Sequence, residues 1–147
     1  MDKILNSIKK FEYFYSPNDD IYWRNKEFVL EAVRNNVHII YYAPKWVRND
    51  KEIILKAVQN DAWVLNYTPK WVRNDKEIIL EAIKNDGCAL EYASEELQYD
   101  REFVTKAIKI CGYSLRYASN QLRNNKRLIM IALKNIYYVN SLAKATF

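Results

Sequence analysis

Apolar positions along this chain recur in blocks of about ten residues, separated by short polar breaks. In Lys51–Asn60 the residues Ile53, Ile54, Ala57 and Val58 fall on one side of a 3.6-residue period, and Glu52, Lys56 and Gln59 fall on the other. That pattern predicts an amphipathic helix with one buried face. Its start is marked by Asn49-Asp50-Lys51-Glu52, where either Asn49 or Asp50 can cap and Glu52 stands three residues after Asn49, the spacing of a capping box. Its end is marked by Asn60 and Asp61. The equivalents Asn35, Asn85 and Asn135 suit a left-handed terminal residue, and Gly87 and Gly112, two positions further on, suit the same turn. A second short helix is predicted from Ala62 to Tyr67. Thr68-Pro69 and Ser94-Glu95-Glu96 then read as a cap and one helical turn, with proline at the first helical position and Val72 or Leu97 as the apolar end.

The whole pattern returns every 25 residues. The twelve residues 44–55 recur without change as 69–80. The same offset aligns Lys26, Lys51, Lys76, Arg101 and Lys126, then Ala32, Ala57, Ala82, Ala107 and Ala132, then Tyr42, Tyr67, Tyr92 and Tyr117. Ile4, Leu5, Ser7 and Ile8 fall under Val29, Leu30, Ala32 and Val33, so residues 1–25 read as a degenerate first unit, followed by units 26–50, 51–75, 76–100, 101–125 and 126–147. No unit can bury its apolar face alone, so neighbours must stack. The expected fold is all-α, an αα-solenoid of about six 25-residue repeats. The small alanine allows close helix crossing, and the tyrosine ring packs between units. No Gly-, Ser- or Pro-rich linker divides the chain, which reads as one domain over residues 1–147.

The phrases RNDKEIIL.A and ALEYASEELQYDREFVTKAI resemble the short helical repeats of the domain-of-unknown-function family 4116, and the resemblance runs the length of the chain. It implies an interaction module and carries no catalytic residues. The first unit departs from the pattern, with Pro17 at the tyrosine position.

Chemistry-bearing residues are sparse. The single histidine, His38, belongs to a series with Trp63, Cys88, Tyr113 and Tyr138 and reads as packing. There is no Gly-rich phosphate loop, Cys88 and Cys111 lack the spacing of a zinc site, and Glu52, Glu77 and Glu102 recur because a helix start needs them. The chain is therefore expected to be non-enzymatic, with no metal and no cofactor. No stretch reaches the roughly 18 apolar residues of a membrane span and no signal-peptide run opens the chain, so a cytoplasmic protein of a bacterium or an infected host cell is expected. The 23 basic and 18 acidic side chains, net +5, admit an acidic partner and fall short of a typical nucleic-acid binder.

In a repeat protein, positions that stay apolar in every unit face the core and positions that vary in polarity face solvent. By that test Trp46 and Trp71 are accessible, because the same position carries Ile21, Glu96, Gln121 and Thr146. Lys45, Arg48, Lys70 and Arg73 flank them, while Glu91, Glu95 and Glu96 reverse the sign in the next unit. The cluster reads either as a protein-binding hot spot or as two indoles lying over the groove between units. His38, Trp63 and Tyr113 form a second candidate surface unless they fill the core. Ile131 and Ile136 stand where other units are mostly polar, which points to self-association, a covering partner, or a tail from Asn140 folded back over them; Phe147 falls at a core position. The function expected is a non-catalytic protein–protein interaction module, possible as an inhibitor or effector that occludes a partner's functional surface, such as an anti-defence protein. The alternative is single-stranded nucleic-acid binding through the Trp, Lys and Arg patch.

Overall fold

The computed structural model describes residues 23–145, and among them there is no strand. Residues 1–22 of the degenerate first unit and Phe147 lie outside the described residues. Ten-residue α-helices recur at 25-residue intervals: α1 (Lys26–Asn35), α3 (Lys51–Asn60), α5 (Lys76–Asn85) and α7 (Arg101–Ile110). Each is followed by a 3₁₀ helix, η1 (Val37–Tyr41), η2 (Ala62–Tyr67), η3 (Gly87–Tyr92) and η4 (Gly112–Tyr117), and then by one short α turn, α2 (Lys45–Arg48), α4 (Lys70–Arg73), α6 (Glu95–Tyr99) and α8 (Asn120–Arg123). The long helices pack side by side in one layer and the 3₁₀ helices in another, giving an all-α, solenoid-like stack of repeats. Ile53, Ile54, Ala57 and Val58, with their counterparts in α5 and α7, are buried between the layers, and the alanine position is closed to solvent throughout.

Asp50, not Asn49, caps α3, because its carboxylate accepts the N–H groups of Glu52 (3.0 Å) and Ile53 (3.2 Å). Glu52 is therefore one residue too early for a capping box. Its carboxylate instead accepts from Lys26 Nζ of the preceding unit at 2.9 Å. The helix end also differs from the expectation. Asp61 is extended (φ −154°) and no left-handed residue is used; Asn60 stays helical and donates to the Val33 carbonyl one unit back, at 3.1 Å. Asn85 does the same to Val58 (3.4 Å) and Asn135 to Lys109 (2.9 Å). The asparagine is thus a lock between units, satisfying a helix-end carbonyl that would otherwise lack a partner.

The glycines also serve contact rather than turn geometry, since neither takes a left-handed φ. A Cβ on Gly87 would lie 2.2 Å from Cys111 Sγ, and one on Gly112 would lie 2.4 Å from the Ala132 carbonyl oxygen. The segment Ala62–Tyr67 is 3₁₀ rather than α. It is bounded by Asp61, which accepts from Trp63 N at 2.8 Å, and by Thr68, whose N–H reaches back three residues to Leu65 O at 3.3 Å, the bonding interval of a 3₁₀ helix. Pro69 sits outside α4 as its cap residue, and the Thr68 hydroxyl donates backwards to Leu65 O (2.7 Å). Ser94, by contrast, caps α6 by accepting from Leu97 N at 3.2 Å.

A ladder of ion pairs crosses the units. Lys26 reaches the cap carboxylate Asp50 at 2.8 Å, Lys51 reaches Asp75 at 2.7 Å, and Lys76 reaches Asp100 at 2.6 Å. Burial raises the Asp50 and Asp75 carboxyls, but the lysine ammonium and the helix-start N–H groups outweigh it and hold both below the usual aspartate range. Asp100 is held low first of all by Lys76. The three lysines are raised by the same pairs. Such exposed pairs contribute little one by one, yet their repetition fixes how each helix start sits on the unit before it.

The final described helix breaks the pattern. α9 runs without interruption from Lys126 to Ala145, twice the usual length. Its residues from Asn140 to Ala145 continue the helix, and the last two residues of the expected tail lie outside the described residues.

Two outcomes follow. Because the aspartates are lowered, their contribution is full above about pH 4 and lost as pH falls through their folded values; the raised lysines act oppositely, above about pH 10.5. Melting temperature should therefore fall on both sides of a plateau, and Lys51→Met should flatten the acid limb, as followed by circular dichroism between pH 2 and 5. Gly87→Ala should cost about 1–3 kcal/mol in urea denaturation and recover partly with Cys111→Ala. Gly112→Ala, obstructed by a backbone carbonyl, should cost more and resist such rescue; neutrality of either glycine variant would remove the close-approach explanation.

Candidate functional site

The short turns α2 and α4 bury only Val47 and Val72 and carry the two repeated tryptophans on the other side. Trp46 and Trp71 are 42% and 41% exposed. Trp71 Nε1 donates to Asn49 Oδ1 of the preceding unit at 2.9 Å, and Asn49 Nδ2 donates to Lys45 O at 2.6 Å. The Trp71 indole therefore lies across the joint between units with part of its surface open. In the next unit Glu96 occupies the same position and accepts from Asn74 Nδ2 at 3.1 Å, so two different residues bridge backwards from this position.

The basic residues around these indoles separate into two sets. Lys45 and Lys70 are exposed, whereas Arg48 and Arg73 are half-buried. The Nε atoms of both arginines are buried without a hydrogen-bond partner among the described residues. At the same repeat position Gln98 donates to the carbonyls of Leu90 (3.1 Å), Glu91 (3.3 Å) and Ala93 (3.2 Å), and Arg123 donates to Arg116 O (3.3 Å). In those units the side chain turns inward to the end of the 3₁₀ helix.

The 3₁₀ layer brings a second group together. In a 3₁₀ helix residues three apart eclipse one another. Val37 and Ile40, with Ile39, face inward, which leaves His38 and Tyr41 outward; Ala62, Val64 and Leu65 likewise leave Trp63 outward. The series His38, Trp63, Cys88 and Tyr113 is accordingly exposed and does not fill the core, because the tight 3₁₀ winding rotates it away. Ring edges meet ring faces along η1 and η2: Tyr41 with Tyr42 at 4.6 Å between centroids, Tyr41 with Tyr67 at 4.8 Å, Trp63 with Tyr67 at 4.9 Å, and His38 with Trp63 at 6.4 Å. These rings, with Val37, Ile40 and Val64, line a groove of about 410 Å³.

Tyr41 and Tyr67 escaped the sequence reading as site residues. A signal for Tyr41 was present, since its position carries Asn66, Glu91 and Arg116 in later units, the same variation in polarity that singled out Trp46. Tyr67 gave no such signal, because its position is tyrosine in four units. Along the layer the chemistry then changes from aromatic to Cys88 and Glu91 and then to Tyr113 and Arg116, so the groove belongs to η1 and η2 alone.

At the other end, Ile131 packs against the core and Ile136 against Gly112, both half-buried. Among the described side chains of α9, the exposed large apolar ones are Met130, Leu133, Tyr137 and Tyr138.

Among the described residues no group of three or more His, Cys, Asp or Glu side chains could hold a metal ion, and no helix is long and apolar enough to cross a membrane. Cys88 is exposed and Cys111 half-buried, both free thiols.

A family model described as a domain of unknown function (DUF4116) matches the chain three times in tandem, over residues 25–73, 50–98 and 100–144. Neither the curated proteins nor the solved structures provide a match.

The Trp71–Asn49 bridge can be weighed directly. A double-mutant cycle of Trp71→Phe and Asn49→Ala should show a coupling energy of about 1 kcal/mol with modest loss of stability in each single variant. A coupling near zero would make the indole contact incidental.

Proposed function

We propose a function for a chain that belongs to the DUF4116 family: it is a non-catalytic module that binds a protein partner through the aromatic groove of η1 and η2. The observation that carries this reading is the cluster of Tyr41, Tyr42, Trp63 and Tyr67, four rings in edge-to-face contact around an open groove. Rings held by one another lose little freedom when a ligand arrives, and tryptophan and tyrosine contribute most per residue at protein interfaces. Lys45 and Lys70, exposed three residues beyond Tyr42 and Tyr67, add positive charge alongside. The partner that fits is a protein segment that inserts an apolar side chain and presents acidic groups next to it. Binding of this kind acts by occlusion of the partner's surface, as an inhibitor or effector does. The free thiols Cys88 and Cys111 are compatible with the reducing cytoplasm as the place of that encounter.

Single-stranded nucleic acid stacked on Trp46 and Trp71 is the competing reading, favoured by the openness of both indoles. Half-burial of Arg48 and Arg73, with their Nε atoms enclosed, leaves Lys45 and Lys70 as its more open cations, and Glu95 and Glu96 oppose its continuation.

Affinity purification from the native cell supplies the partner, and calorimetry then decides between surfaces. Trp63→Ala and Tyr41→Ala should each lower the melting temperature modestly without loss of the fold, since about half of each ring is exposed and the rest packs on neighbouring rings, and Trp63→Ala should weaken binding by about 2 kcal/mol or more. Retained affinity in both variants, with loss in Trp46→Ala/Trp71→Ala, would move the site to the tryptophan ridge. Binding of single-stranded RNA that weakens steeply with salt would replace the protein reading altogether.

A further inference from the structure

The apolar core stops at α9 without a counterpart, one joint after the last rung of the ion-pair ladder, Lys76 with Asp100. In the first three described units the leading lysine of the long helix meets the acidic start of the helix that follows: Lys26 with Asp50 and Glu52, Lys51 with Asp75 and Glu77, Lys76 with Asp100. Arg101 of α7 is followed by Asn125 and Arg127 at the equivalent positions, which offer it no carboxylate. Lys126 occupies that position on α9, is exposed, and has no acidic partner among the described residues. The same helix side carries Leu133, 55% exposed, at the position where Val58, Ile83 and Ile108 are buried under the next helix. Met130, at the position of the half-buried Leu55 and Leu80, is also exposed, and Ile129 is only half-buried where Ile54, Ile79 and Val104 are closed. A groove of about 290 Å³ runs beside these residues against η4, with Arg116 and Arg123 on its wall.

Charge sets this end apart from the rest. Residues 1–102 hold 15 basic and 18 acidic side chains, net −3, whereas residues 103–147 hold eight basic ones and none that is acidic. Two copies of this face brought together would set lysine and arginine against their like, which disfavours a symmetric pair. A purely phosphate-seeking surface, conversely, has no use for an exposed Leu133 and Met130 in its middle.

We infer that the open side of α9 receives an acidic amphipathic helix of a partner protein in the register of a further repeat. Its aspartate or glutamate start meets Lys126, and its apolar stripe covers Ile129, Met130 and Leu133. The surface shares no residue with the η1 and η2 groove, so either can fail without the other.

The probe is a helix-stabilised, fluorescein-labelled peptide with the sequence of residues 75–86, which begins on Asp75 and Glu77 and covers the preceding helix in exactly this way within the chain. By fluorescence anisotropy it should bind the full chain with a Kd on the order of micromolar. Leu133→Lys should weaken it about tenfold or more, and Met130→Lys serves the same purpose should the first variant melt early. Lys126→Glu should also weaken it, and a peptide carrying Asp75→Lys and Glu77→Lys should recover affinity for that variant alone. Absence of binding up to about 1 mM, or binding indifferent to both Leu133→Lys and Lys126→Glu, overturns the inference. So does self-association in sedimentation velocity that vanishes in Leu133→Lys, which makes the occupant a second copy. Polyuridylate that displaces the peptide and releases steeply with salt assigns the face to nucleic acid instead.

Discussion

A helix of ten residues is too short to persist in water by its own hydrogen bonds, so each long helix of this protein exists only because another covers it. That requirement organises everything else in the stack. It explains why the alanine position is closed in every described unit, where a larger side chain would hold the helices apart. It explains why Asn60, Asn85 and Asn135 reach back to carbonyls one unit earlier instead of turning their own helices. Gly87 and Gly112 answer to the same demand, since each stands where the neighbouring unit leaves no room for a Cβ. Stability in such an arrangement is a sum over joints, and the polar features at the joints select one register among the slips that an apolar seam alone would permit.

With the joints occupied, the remaining positions are free to differ, and they differ most where the 3₁₀ helices turn residues outward. His38, Trp63, Cys88 and Tyr113 share one geometry and have almost nothing in common chemically. On the short turns one position likewise passes from Trp46 and Trp71 to Glu96 and Gln121. A frame that repeats and a surface that does not is the usual basis of recognition by repeat proteins, in which successive units present different side chains at a fixed interval. The aromatic groove on η1 and η2 and the uncovered side of α9 lie on different layers, and they differ in being ring-lined on one side and aliphatic on the other.

The repeat was legible in the sequence because its determinants are local. The twelve-residue identity between 44–55 and 69–80, the 3.6-residue spacing of Ile53, Ile54, Ala57 and Val58, and the span Ala62–Tyr67 require only periodicity and capping chemistry to read. The exposure of Trp46 and Trp71 followed from comparing units with one another. Misreadings gathered where a residue serves a neighbour 22 to 27 positions away. Asn60 looked like a helix stop, Glu52 like half of a capping box, Gly87 like a turn residue, and each has its partner in an adjoining unit.

By itself, then, the sequence determined the helical class, the 25-residue interval and which residues of each long helix are buried, since backbone propensity and apolar periodicity act within a single unit. Only the tertiary structure decided which outward residues stand together. Tyr41 meets Tyr67 across 26 residues, Arg48 and Arg73 are drawn half inside while Lys45 and Lys70 remain out, and α9 continues to Ala145 where the pattern called for a turn after Asn135. The physical reason is that these outcomes depend on the rotation of one unit upon the next and on the winding of the 3₁₀ segments. Both are set by packing between units, which a pattern read along one unit does not contain.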